Sequence, residues 1–271
     1  MTLPIPEPVT SFATLTLRTP APHVLLVTLH RPEARNALNT QMGLDLMTLF
    51  ERFQIAADGV RAIVLTGEGD KAFCAGGDLK ERRGMSDETW QQQHAIFERM
   101  MRALLACPIP KIGAVNGAAF GGGCEIAAAC DFIYAAQTAR FALTEVTLGI
   151  MPGAGGTQNL ARALGARRAK EITLTGLPFS AEDAERWGLV NRVCAPERLV
   201  EEAVATATRI AENAPISVRQ IKQSIDRGLD MAIGDGLAFE IEAYNRMVPT
   251  EDRHEGVNAF NEKRKPNFRG R

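Results

Sequence analysis

Apolar residues come in two rhythms along this chain. Runs that are β-branched or apolar on both faces, at 13–17, 24–30, 61–66, 112–115, 131–135 and 189–193, predict strands buried on both sides of a sheet. Between them the period lengthens to that of a helix: 41–53, the long stretch 87–106 with Ser86 as N-cap, and 181–187. The last of these is opened by the Ser180/Asp183 capping pair and closed by Gly188. Strands alternating with helices predict an α/β fold. Beyond Pro196 the strand pattern stops, and helical segments follow at 197–212, 216–227, 237–246 and 252–260, punctuated by Pro215, Gly228 and Pro249. The chain thus divides into an α/β core at 1–196 and a helical region at 197–271, suited to closing a site or to packing against another subunit.

Composition narrows the picture mainly by exclusion. Lys+Arg 31 against Asp+Glu 32 gives a net charge of -1, with no global pull toward nucleic acid or an anionic membrane. Five cysteines, none in a CxxC pair, fit a reducing compartment and not a disulfide framework. The start, MTLPIPEPVT, has neither the basic head and apolar core of a secretory signal nor the arginines of a transit peptide, and no apolar run reaches membrane-spanning length, so the expected location is the cytoplasm. Four scattered histidines without HExxH spacing offer no local metal site. There is no GxSxG elbow or GK[ST] phosphate loop, and GEGDKA at 67–72 lacks the helix a dinucleotide fingerprint needs.

Two glycine-rich loops remain, FCAGGDLKE at 73–81 and FGGGCE at 120–125. Either alone is accounted for by a tight turn or close packing. Together they suit an oxyanion: an N–H from Gly122, placed just before a helix at 124–130, and one from Ala75 in the other loop would form a two-donor cradle. Glu125 has Ala128 and Ala129 on its own helical face, so burial there would raise its pKa toward neutrality, unless a distant arginine pairs with it. Glu145, in TEVTLGIMPGAGGTQ at 144–158, is a second isolated acid. Two such acids beside an oxyanion cradle point to proton movement next to a carbonyl.

HRPEARNALN (30–39), AFCAGGDLKE (72–81), NGAAFGGGCEIAAACD (116–131), TEVTLGIMPGAGGTQ, AEDAERWGLVNRV (181–193) and EGVNAFNEKRKPNF (255–268), in this order, resemble the crotonase or enoyl-CoA hydratase superfamily. The resemblance implies a spiral of ββα turns with a C-terminal helical layer that builds a trimer or dimer of trimers. It implies an acyl-CoA thioester as substrate, coenzyme A being part of it and no separate cofactor being required. By the same resemblance Ala75 and Gly122 match the oxyanion donors and Glu125 and Glu145 the catalytic acids. Arg35, Ala37, Gly77, Asp78, Leu79, Lys80 and Gly121 would lie around the bound thioester, with the basic tail EKRKPNFRGR near the phosphates. Gly77 stands where the family often has Ala, and Thr144 where Pro is frequent.

The expected reaction is hydration of a 2-enoyl-CoA to a 3-hydroxyacyl-CoA, a step used in fatty-acid β-oxidation and in amino-acid or aromatic degradation. The alternatives are a double-bond isomerase, whose members often lack one of the two acids, or a hydratase of a branched substrate such as methylglutaconyl-CoA, toward which FCAGGDLKER and VPTEDRHEGV lean. A non-enzymatic alternative, RNA binding through the basic tail, is disfavoured by the net charge and the lack of a basic, aromatic-interleaved face. Trp90 and Phe97, on the long helix, are expected in the wall of the acyl pocket.

Overall fold

The computed structural model describes residues 11–271; the N-terminal reading above falls on 1–10, outside the described residues. The two doubly apolar runs become β2 (Val24–Leu29) and β3 (Ala62–Gly67), every residue of which is buried. With β1 (Leu15–Ala21), β5 (Lys111–Val115), β7 (Phe132–Ala136) and β10 (Arg192–Cys194) they form one sheet in the order β1-β2-β3-β5-β7-β10, parallel apart from the β1/β2 hairpin. A second sheet holds β4 (Ala72–Cys74), β6 (Ala118–Phe120), β8 (Arg140–Ala142) and β9 (Phe179–Ser180) in that order. Consecutive strands alternate between the sheets: β3 is followed by β4, β5 by β6, β7 by β8, and a helical connection precedes each new pair. The chain therefore winds as a spiral of ββα turns.

Helix α1 (Thr40–Ile55) is capped by Asn39, whose side chain accepts from Met42 N–H at 3.0 Å, and buries Met42, Leu46, Leu49, Phe50 and Phe53 along one face. It packs against α3 (Asp87–Ala106), capped by Ser86 as the sequence predicts. The contact is close: a Cβ at Gly43 would lie 2.8 Å from the Phe97 ring. Helix α7 (Ala181–Trp187) is likewise capped by Ser180, through Asp183 N–H at 3.0 Å.

Several expectations shift. The strand expected at 189–193 begins only at Arg192, because the N–H groups of Leu189 and Val190 still bond back to Ala184 O and finish the helix. The helix expected at 124–130 is α4 (Gly122–Ala128), so Gly122 is its first residue and does not precede it. The strands of the second sheet, two or three residues each, and helices α5 (Gly156–Leu164) and α6 (Ala166–Thr175) were not anticipated.

Helix α8 (Leu199–Ala211) lies across β2, β3, β5 and β7, and its Leu199, Ala203, Ala207 and Ala211 join the same core cluster as the sheet. None of the residues in α9 (Pro215–Gly228), α10 (Ile233–Asn245) or α11 (Glu251–Asn261) does. These three helices instead expose Ile221, Ile225, Ile233, Ile241, Tyr244 and Phe260. No helix among the described residues is long and apolar enough to cross a membrane.

Candidate active site

Each turn of the spiral delivers a loop at the end of its second-sheet strand, and these loops meet around a cleft of about 690 Å³. Residues following β4 bring Ala75, Gly76, Gly77, Leu79 and Arg82; the start of α4 brings Gly121, Gly122 and Glu125; the segment after β8 brings Thr144, Glu145, Leu148 and Met151. Helix α3 closes the far wall with Trp90, His94 and Phe97, in agreement with the expectation for Trp90 and Phe97. Arg35, Ala37, Asp78 and Lys80 do not line this cleft.

The first two loops touch backbone to backbone. A Cβ at Gly76 would stand 2.8 Å from Phe120 O and 3.7 Å from Gly121 Cα, and one at Gly123 only 2.1 Å from Cys74 O, so α4 can seat against β4 only with glycine there. Gly121, at φ 51, turns the chain into the helix. Gly122 then presents its N–H from the first turn of α4, with no acceptor among the described residues.

The second donor is not where the sequence reading put it. Ala75 N–H already donates to Arg35 O at 3.1 Å. Two residues on, Leu38 makes both bonds of a parallel bridge with the residues flanking Gly77: Leu38 N–H donates to Gly76 O at 2.8 Å, and Asp78 N–H donates to Leu38 O at 2.9 Å. This pattern turns the N–H of Gly77 away from residue 38, and it has no acceptor among the described residues. In the two glycine-rich loops, Gly77 and Gly122 thus each bring a free amide to the cleft. The correction was not available from the motif, because which amide is free depends on the carbonyl of Arg35, forty positions upstream.

Glu125 is buried, and its Oε1 accepts from Ala154 N–H and Gly156 N–H, both at 2.8 Å. Gly156 is the first residue of α5, and a Cβ there would lie 2.9 Å from that same oxygen. Burial raises the pKa of Glu125 above the usual carboxylate value, while the amides of Gly156 and Ala154 pull it back part of the way. Glu145 is also buried, and its Oε2 has no hydrogen-bond partner. Burial pushes Glu145 up to about 7; its own backbone N–H opposes the rise and the charge of Glu125 adds to it. No arginine pairs with either acid among the described residues.

The other anticipated residues support the loops. Arg35 and Asn36 sit at positive φ. Ala37 accepts Arg31 Nη1 at 2.6 Å and donates its N–H to Ala34 O, so its backbone is engaged locally. Asp78 caps the short helix α2 (Leu79–Arg82) and pairs with Arg31 at 2.9 Å. Burial alone would raise the Asp78 carboxyl, but Arg31 and the capped amides outweigh it and hold it low. Leu79 and Lys80 are exposed. Sequence reasoning missed Arg31, and also Asn116, whose Nδ2 donates to Gly67 O and Gly69 O and whose Oδ1 accepts from Gly67 N–H, tying β3 to the turn before β4. An amide that binds backbone on both sides gives no periodic signal in sequence.

The family model for enoyl-CoA hydratase/isomerase matches residues 21–271. The mitochondrial enoyl-CoA hydratase of Pongo abelii is 43% identical over 90% of this chain and 83% of its own. The short-chain-enoyl-CoA hydratase of Clostridium acetobutylicum is 41% identical over 89% of this chain and 92% of its own. The crystal structure of enoyl-CoA hydratase from Bacillus anthracis superposes with a TM-score of 0.93 at 41% identity, covering 95% of this chain and all of that one. The spiral of ββα turns has its counterpart in the superposed structure along nearly the whole chain, and the protein belongs to the enoyl-CoA hydratase/isomerase family, within the crotonase superfamily.

Proposed function

We propose that this protein is an enoyl-CoA hydratase, adding water across the C2=C3 bond of an α,β-unsaturated acyl-CoA to give a 3-hydroxyacyl-CoA. The observation that carries the reading is the pair of buried carboxyls, Glu125 and Glu145, lining one cleft with the free amides of Gly77 and Gly122. The two amide N–H groups donate to the thioester carbonyl oxygen and draw charge onto it, making C3 electrophilic. With Oε1 fixed by two N–H groups, Glu125 is favoured as the carboxylate and turns Oε2 to a water, taking its proton as the oxygen attacks C3. Glu145, poised near neutrality, delivers a proton to C2 as the enolate collapses. Coenzyme A enters and leaves as part of the substrate, and these steps call on no other cofactor.

Replacement of either acid by Gln should lower kcat by about 10²- to 10⁴-fold while thioester binding persists. The assay is the loss of the conjugated ultraviolet band of crotonyl-CoA. Full activity of Glu125→Gln or Glu145→Gln, or isomerisation of a 3-enoyl-CoA without any hydration by the unmodified protein, would overturn the reading. The exposed apolar residues of α9 to α11 support assembly into a trimer or dimer of trimers, and five buried free thiols suit a reducing cytoplasm.

A further inference from the structure

The N–H of Gly77 owes its direction to a bridge with little to hold it. Leu38 and Gly77 pair outside any strand, so no ladder continues on either side to keep them in register. Two backbone bonds make the bridge, Leu38 N–H to Gly76 O at 2.8 Å and Asp78 N–H to Leu38 O at 2.9 Å. Neutral bonds of this kind contribute little net stability each. The first of them nevertheless sets the donor. In a trans peptide the C=O and the N–H point in opposite directions, so anchoring Gly76 O on Leu38 drives the N–H of Gly77 the other way.

Arg31 is fastened across this bridge. A single nitrogen, Nη1, donates to Ala37 O at 2.6 Å and lies 2.9 Å from Asp78 Oδ2, gripping the residue before Leu38 and the residue after Gly77. Both side chains are shielded from water, Arg31 at 19% exposure and Asp78 at 11%. Each is also tied elsewhere. Asp78 Oδ1 accepts from the N–H groups of Lys80 and Glu81. The backbone N–H of Arg31 donates to Asn36 Oδ1 at 3.0 Å, and the buried Asn36 donates through Nδ2 to Glu68 O and Ala72 O. The guanidinium therefore has a fixed base, although it does not line the cleft.

Taken in order, the bonds make one line. Arg31 Nη1 donates to Ala37 O; across that peptide, Leu38 N–H donates to Gly76 O; across the next, Gly77 N–H faces the cleft. Hydrogen bonds in series polarise one another, and a cation at the head of the series strengthens the bond it makes. We propose that Arg31 is a positioning residue for the reaction: through two peptide groups it aims and polarises the Gly77 N–H that donates to the thioester oxygen. The proposal rests on the hydratase reading for the identity of the acceptor at the end of the line.

Infrared spectroscopy reads the polarisation directly. Butyryl-CoA labelled with carbon-13 at its carbonyl is saturated and is not hydrated, and its C=O stretch falls in frequency as hydrogen bonds draw charge onto the oxygen. Difference spectra are taken with the full-length protein and with Arg31→Lys and Arg31→Met. Bound to the unmodified protein, the stretch should lie below that of the free thioester. Arg31→Met should give back about 10–30% of that displacement, and Arg31→Lys, which keeps a cation, a smaller share. For crotonyl-CoA, kcat should fall by about 5- to 50-fold in Arg31→Met. The Kd of butyryl-CoA should change by less than about threefold, because the strengthened donor acts mainly on the charge of the transition state. An unchanged carbonyl frequency in folded Arg31→Met, whatever happens to kcat, overturns the proposal and leaves the arginine a structural clamp. A loss expressed mainly in Kd also overturns it, by placing Arg31 in coenzyme binding. Thermal melting identifies a variant that has failed to fold; Arg31→Gln, uncharged but polar, then replaces the Met variant with the same expected shift. Failure of the unmodified protein to hydrate any enoyl thioester overturns the hydratase reading alone, and the infrared displacement still decides for Arg31.

Discussion

Glu145 holds its proton to about pH 7 because burial and the nearby Glu125 both oppose ionisation. In the hydration direction it must arrive protonated, so kcat/KM for an enoyl-CoA should fall as pH rises through about 7, whereas dehydration of the 3-hydroxyacyl product should rise over the same interval. A pH profile for each direction checks this, and Glu145→Gln should remove the limb from both. Stability carries the same sign: the folded protein binds a proton that the unfolded chain releases near 4.5, so this side chain's contribution is intact below 4.5 and is lost as pH approaches 7. Above pH 7, Glu145→Gln should therefore be more stable than the parent by about 1–3 kcal/mol in urea melts. The same scale shows where sequence reasoning reached its limit. Glu125 and Glu145 were legible as lone acids in apolar runs, but the donor was placed at Ala75 because only the folded chain reveals that Arg35 O has claimed that amide.

Among the elements, those with enough residues to show a period were readable. The strands β2 and β3 announced themselves by unbroken apolar runs, and α3 and α7 by serine caps that the structure retains. The second sheet was not readable, since strands such as β6 and β8 are three residues long and owe their pairing to neighbours on other turns of the spiral. Its consequence is mechanical: β4 and α4 are pressed together at Gly123. Gly123→Ala would drive a Cβ into Cys74 O, forcing α4 outward and displacing Gly122 N–H and Glu125 together. Turnover should fall by about 10²-fold or more, with a loss of about 1–3 kcal/mol in stability. Near-normal kcat in that variant would show that the donor and acid do not depend on this seat.

For the whole molecule, the apolar faces left on α10 and α11 set the expectation of assembly. Phe260 is 84% exposed and Ile233 80%, on helices that add nothing to the core cluster. Sedimentation equilibrium should return three or six times the chain mass, and Phe260→Glu should lower it toward one chain; a monomer for the parent protein would contradict the assembly. The two sides of the cleft, finally, differ in how much change they tolerate. On the amide side, main chain abuts main chain so closely at 76 and 123 that a single methyl has nowhere to go. On the α2–α3 side, whole side chains form the boundary. Any retuning of substrate preference, in the laboratory or by natural drift, is thereby channelled into positions such as 82, 90, 94 and 97, and the chemistry is inherited intact while the selectivity varies.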